Sequence, residues 1–227
     1  MAAARNVLRT VEFHIRHVVG MAWSRHAAQL VVIGAFCIRI ANKGRKRRAA
    51  RDAIDQAAQK FRKIGFFAGG RPRHAAWRST RNVVPSGVRD IMREGDALSH
   101  CVGKSDRYWE RIEQQEAYIL FLRKTAEIDK PYYTLEVEPN GTIRQKRTYF
   151  DRQNDDLKDA EKFLKEWQKV VSERLTESDR EKAEKSKVLR LQEFEQLRQD
   201  DIRIHTGDLA GQRLVDVLVS DLMETAA

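Results

Sequence analysis

Residues 131–145 read Pro131-Tyr-Tyr-Thr-Leu-Glu-Val-Glu-Pro-Asn-Gly-Thr-Ile-Arg-Gln145, and this stretch decides the fold class. Tyr133–Glu138 alternates apolar and polar residues with period two, as a half-buried strand does. Pro139-Asn140-Gly141 then reverses the chain, because Asn-Gly readily takes the positive φ values of a tight hairpin. Thr142–Tyr149 returns as the partner strand. Upstream, Ala117–Arg123 (AYILFLR) is apolar on both faces and belongs in the middle of a sheet. The expected fold is α+β: a small antiparallel three-stranded meander packed with helices on one face, followed by long C-terminal helices.

Before the meander, Val83-Val84-Pro85 is extended, since a residue preceding proline avoids the helical region. Ser86 suits an N-cap for a short helix carrying Val88, Ile91 and Met92 on one face, and Gly95 suits its left-handed end. Ser105 opens a second helix, Asp106–Gln115, with Tyr108, Trp109 and Ile112 inward. After the meander, Asp159–Ile204 is charge-laced and helical. Its stripe Phe163, Leu164, Trp167, Val170, Val171 and Leu175 breaks at the charged Thr176–Lys187 and resumes with Val188, Leu191, Phe194 and Leu197. Gly207 is a stop, and Leu209–Met223 is a last amphipathic helix. Three regions result: 1–82, basic and partly helical; 83–158, the α+β core; and 159–227, the charged helices. These helices pack on their own chain or offer a surface to a protein partner.

The net charge of +10 is unevenly placed. Residues 1–90 hold 19 Lys and Arg against 4 Asp and Glu, or +15, and residues 91–227 hold 24 against 29, or −5. Such a one-sided block suits a polyanion, either nucleic acid (DNA or RNA) or an anionic membrane, or else a solvated tail. The candidate phosphate contacts are Arg45, Lys46, Arg47 and Arg48, then Arg71, Arg73 and Arg78 among the aromatics Phe66, Phe67 and Trp77. A weak helix near Asn6–His17 and a clearer one over Asp52–Lys63, with Ile54, Ala57, Ala58 and Phe61 on one stripe, complete this region. The apolar run Leu30–Ile38 is too short to span a bilayer and reads as a buried element or an interfacial anchor. With only Cys37 and Cys101, neither a disulfide framework nor a zinc spacing exists, which fits a reducing cytoplasm and no resident metal.

Chemistry concentrates in Glu94-Gly95-Asp96-Ala97-Leu98-Ser99-His100-Cys101-Val102-Gly103. The adjacent His100 and Cys101 do not serve each other as base and nucleophile, because neighbouring side chains diverge on any regular backbone. His100 titrates in the right range for a general base. Its partners would come from Tyr118, from Glu136 or Glu138, and from Gln145 or Arg147 on the meander. Cys101 is a lesser candidate, needing a cation or a helix N-terminus to depress its pKa. The expected catalytic set is thus His100, Tyr118, Gln145 and Cys101, set against a plain reading of packed cysteine and backbone-bonded histidine. P-loop, dinucleotide, zincin and serine-hydrolase motifs are absent from the sequence, and no cofactor is named by it.

The run Val84-Pro-Ser, Glu94-Gly-Asp-Ala-Leu-Ser-His-Cys-Val-Gly103 and Tyr108, followed by Tyr118–Arg123, Tyr133-Thr-Leu-Glu-Val and Gly141-Thr-Ile-Arg-Gln145, resembles the PcfJ-like family. The resemblance covers Val83–Trp167. The family continues after the glutamine with Arg-Gly and a nearby Asn, whereas here Gln145-Lys-Arg147 leads to Thr148 and Asp151. PcfJ-like proteins occur on conjugative plasmids, in phages and in other mobile elements. The resemblance therefore implies a mobile-element accessory protein that binds nucleic acid or a nucleoprotein partner. A transferase or hydrolase using His100 and a helical scaffold are the other two expectations.

Overall fold

The Asn140-Gly141 turn is the pivot of the computed structural model, which describes residues 79–205 and 207–225 together with Arg51, Ile54 and Asp55. Gly141 takes φ +93°, the Asn140 side chain accepts from the Thr142 amide, and Glu138 and Thr142 close the turn. It joins β3 (Tyr133–Val137) to β4 (Ile143–Arg147), and β2 (Tyr118–Lys124) pairs with β3 on the other side. The meander is thus as its sequence reads. It gains a fourth antiparallel strand, β1 (Thr80–Val83), on the outer side of β2. The extended Val83 that precedes Val84-Pro85 is the end of that strand.

Five α-helices accompany the sheet among the described residues: α1 (Val88–Ala97), α2 (Asp106–Glu113), α3 (Leu157–Ser172), α4 (Glu177–Gln199) and α5 (Leu214–Asp221). They cover both faces rather than the one expected. On one face Leu120, Leu122, Tyr133 and Leu135 meet Phe163, Leu164 and Trp167 of α3. On the other, Ile119 and Phe121 meet Ile91, Trp109 and Ile112 of α1 and α2. Ile54 joins this second cluster, as its place on the expected stripe requires. The boundary drawn after residue 158 falls inside α3, which belongs to the core of the sheet.

Covering both faces changes β3. The strand expected to be half-buried is buried at every position, so its polar residues Thr134 and Glu136 lie inside the protein and need internal partners. Glu136 pairs with Gln145, but Val137 pairs with Ile143, so Arg144 is one residue too many on β4. This bulge lets consecutive side chains reach neighbouring carboxylates: Arg144 to Glu138 at 2.8 Å and Gln145 to Glu136 at 2.9 Å.

The C-terminal helices belong to the same fold. Thr176 and Asp179 form a capping box that restarts the chain as α4. Of the expected α4 stripe, Phe194 is buried, but Val188 and Leu191 face solvent at 51 % exposure each. The docked face is Ala183, Ser186, Arg190 and Phe194, of which two are polar. Arg190 reaches Glu138, and Ser186 receives the Arg144 guanidinium. The helix α5 packs Val215 and Leu218 on Phe194, and Met223 then bridges to Ile143 through two 2.9 Å backbone hydrogen bonds. That short bridge covers the outer edge of β4.

Candidate functional site

The motif at residues 94–103 is built by two glycines. The helix α1 runs through Gly95 to Ala97, so Gly95 is not the left-handed terminus expected; Ser99 takes that conformation at φ +54°. Gly95 is there for space. A Cβ on it would stand 2.9 Å from the Gly103 amide nitrogen, and a Cβ on Gly103 would stand 2.6 Å from the Met92 Cα. The backbones of helix and loop touch, and this contact folds the segment back so that His100 faces the sheet. His100 is extended, donates its amide to the Gly95 carbonyl at 3.0 Å and is buried, whereas Cys101 is exposed in the 3₁₀ turn that follows. The two side chains diverge as backbone geometry demands.

From His100 a chain of polar contacts runs into the sheet. Its Nε2 lies 3.0 Å from the Thr134 hydroxyl, and that hydroxyl lies 3.5 Å from Glu94 Oε1. The Arg123 guanidinium grips Glu94 with both terminal nitrogens, one at 2.8 Å and one at 2.5 Å. The guanidinium also sits 4.7 Å from the centre of the Phe121 ring. A carboxylate paired to arginine only accepts, so Thr134 donates to Glu94 and receives from His100; the network assigns the imidazole proton to Nε2. Nδ1 is then the basic nitrogen, and it makes no hydrogen bond to another described residue. Burial holds the His100 pKa below its usual value, against the opposing fields of Asp151 and Glu94, so the ring is neutral near pH 7.

Around His100 lies a small, shallow cleft of about 20 Å³, open to solvent, lined also by Val102, Tyr108, Ile119, Thr134, Glu136, Gln145, Arg147 and Asp151. Glu136 accepts from Arg111 at 2.6 Å and from Gln145. Arg147 is held by the Asp221 carboxylate and by the Asp151 carbonyl. Burial pushes Asp221 up to about 6, although Arg147, Lys146 and Gln153 pull it down. Burial, with Glu136 next, drives the Tyr108 hydroxyl well above its usual range, so it stays a neutral donor.

The sequence-based set is therefore brought together in part. His100, Gln145, Glu136 and Arg147 share the cleft. Tyr118 does not: it pairs across from Val137, one position out of phase with Ile119 and Glu136, and its side chain packs in the opposite core. Burial raises its hydroxyl to about 12. Glu138 lies deeper, between Arg144 and Arg190. Cys101 is no ready thiolate, since partial burial and Asp151 push its pKa up while Tyr108 opposes them. The phosphate contacts read at Arg45–Arg48, Arg71, Arg73 and Arg78 lie outside the described residues, as do the Asn6–His17 helix and the Leu30–Ile38 run. Tyr108, Thr134 and Asp151 enter the site unexpected; Thr134 was visible as the polar partner of Glu136 in the alternation, and Asp151 was marked only as a departure from the family pattern after Gln145. Among the described residues no cluster of His, Cys, Asp and Glu is arranged for a metal, and no helix is long and apolar enough to cross a membrane.

These motif residues are where the chain resembles other proteins. Residues 45–163, just over half of its length, match the family described as PcfJ-like protein. The chain belongs to the PcfJ-like family. A curated relative, an uncharacterized protein of Listeria innocua serovar 6a, is 43 % identical over 65 residues, which are 29 % of this chain and 14 % of that protein. The chain thus spans a small part of the curated relative it matches. No solved structure matches. The PcfJ-like region contains β1 to β4, α1, α2 and the start of α3, and so every residue that lines the His100 cleft.

Proposed function

We propose that the PcfJ-like domain works through the His100 cleft, as a group transferase or hydrolase acting on a nucleotide or a protein. The observation that carries this reading is the state of His100: a buried neutral imidazole, fixed at Nε2 by Thr134 and basic at Nδ1, in a cleft with Glu136, Gln145, Arg147 and Asp151. Buried polar chains of this sort are expensive relative to an apolar core, and the cost is warranted where a group must be held in one protonation state. His100 is the general base, Gln145 positions the substrate, Arg147 holds the Asp151 turn in place at its side, and Tyr108 takes the place read for Tyr118. Mass spectrometry of the full chain mixed with nucleotides and acceptor proteins tests it. Turnover should be seen with the wild type and lost in His100→Asn; turnover that survives this change overturns the reading.

A second reading is carried by the charge. Residues 1–90 hold +15 while the remainder holds −5. The basic third is the part suited to phosphates, which supports a mobile-element accessory protein that engages DNA, RNA or a nucleoprotein partner. A scaffold role would use the outer side of α4, where Val188 and Leu191 are exposed, since Phe194, Val215 and Leu218 are buried on this chain.

A further inference from the structure

The turn after β4 holds the most unusual backbone of the described residues. Phe150 and Asp151 are consecutive non-glycine residues in the left-handed region, at φ +53° and +58°. Side chains strain there, and such positions persist only where the surroundings enforce them. Here they do. The Phe150 amide donates to Leu98 O at 2.9 Å, Asp151 donates to Thr148 O, Arg147 holds the Asp151 carbonyl, and Thr148 holds the Tyr132 carbonyl. The Leu98 contact ties the turn to the loop that presents His100, two residues away. Enforced in this way, the turn delivers Asp151 to the cleft and leaves Tyr149 and Phe150 in solvent, 48 % and 58 % exposed, edge to face with ring centres 4.4 Å apart.

The polar lining is selective. Arg147 is occupied by Asp221, and Glu136 is occupied by Arg111 and by the Gln145 amide nitrogen. The Tyr108 hydroxyl is directed to Cys101. What remains is the Asp151 carboxylate and the Gln145 amide oxygen, both acceptors, together with His100 Nδ1, which is buried. An anion would meet carboxylates whose cations are already taken. A neutral group rich in O–H and N–H donors fits, and the two exposed rings that directly precede Asp151 in the chain offer a flat apolar ligand a face to stack on.

We infer that the cleft takes a nucleoside, its sugar hydroxyls or exocyclic amine entering among Asp151, Gln145 and His100 and its base lying on Tyr149 and Phe150, with any phosphates left outside. This rests on reading the His100 cleft as the working site and adds its ligand class. The same chemistry is met in a free nucleoside and in an unpaired base of a strand.

The test is an NMR titration of the full chain, following the His100 ring, with adenosine, guanosine, cytidine, uridine, ribose, inorganic phosphate, and short single-stranded DNA and RNA. At least one nucleoside should shift the His100 signals, and phosphate should not. Phe150→Ala with Tyr149→Ala, both exposed and so compatible with folding, should weaken nucleoside binding about tenfold. Phe150→Trp should keep it. If only strands shift His100 and the Ala pair weakens them, the base is read within a strand; a shift by free nucleosides assigns a free ligand. The proposal is overturned if no nucleoside or strand shifts His100, if ribose alone binds as well as a nucleoside, or if the Ala pair binds unchanged. The loss of turnover in His100→Asn is read separately, so the general-base reading stands or falls on its own.

Discussion

At the scale of single residues, two buried groups titrate with opposite signs. His100 is held below its usual pKa, so the unfolded chain binds its proton more readily. Its contribution to stability is full above pH 6.5 and is lost as pH falls below that. Asp221 is raised from 3.8 to about 6, so the folded state binds its proton more readily, and its burial costs on the order of 3 kcal/mol at pH 7 that is relieved as pH falls through 6. Urea denaturation at pH 5, 6 and 7 separates them. Relative to wild type, His100→Asn should gain stability on acidification and Asp221→Asn should lose it; slopes of one sign would refute the assignment. Glu94 and Arg123 make a second prediction. Removing one partner leaves a buried charge, so Glu94→Ala should cost about 3–5 kcal/mol. Combining Glu94→Gln with Arg123→Met should cost markedly less than the sum of the single changes, and additivity in that cycle would remove the pair from the account.

At the scale of elements, the meander was legible because each strand has its own local signal: alternation, an Asn-Gly turn, or an apolar run. What was hidden lies where a tertiary neighbour overrides the local pattern. Thr80–Val83 shows no alternation to speak of, and only β2 beside it makes it a strand. The sequence reading places Tyr118, a polar residue of the central strand, in the cleft; but in a strand one residue decides the face, and Ile119 is the position that shares a face with Glu136. The docked face of α4 uses Ser186 and Arg190, which read as solvent positions, while the apolar Val188 and Leu191 stay outside. A buried ion pair leaves no periodic trace. Glycine gives the clearest element-level prediction. Since a Cβ at Gly103 would stand 2.6 Å from backbone in α1, Gly103→Ala must push the His100 loop off the helix. The expected cost is about 1–3 kcal/mol in urea denaturation, with the His100 ring signals displaced. Gly207→Ala, strained by its φ of +79° but meeting nothing within 4 Å, should leave the His100 signals in place.

At the scale of the whole chain, the two proposed roles lie in different stretches, and their charges keep them apart. The cleft belongs to a stretch of net −5 whose arginines Arg111, Arg123, Arg144 and Arg147 are committed to carboxylates. Phosphate binding by the cleft face would have to break those pairs first. The proposed nucleic-acid affinity is therefore expected of residues 1–90, and a salt titration reads that expectation directly. Each neutralised phosphate releases counterions, so log K falls against log salt with a slope near −0.9 per contact on duplex and about −0.7 on single strands. Replacing Arg45, Lys46, Arg47 and Arg48 by glutamine should reduce that slope by up to about four for duplex DNA or about three for a single strand. The same change should leave the His100 signals unmoved. Undetectable binding of both DNA and RNA at about 50 mM salt would end the nucleic-acid reading, since electrostatic affinity is greatest at low salt. A slope that ignores the four substitutions would instead move the phosphate contacts to another part of the chain, with Arg71, Arg73 and Arg78 the next to replace.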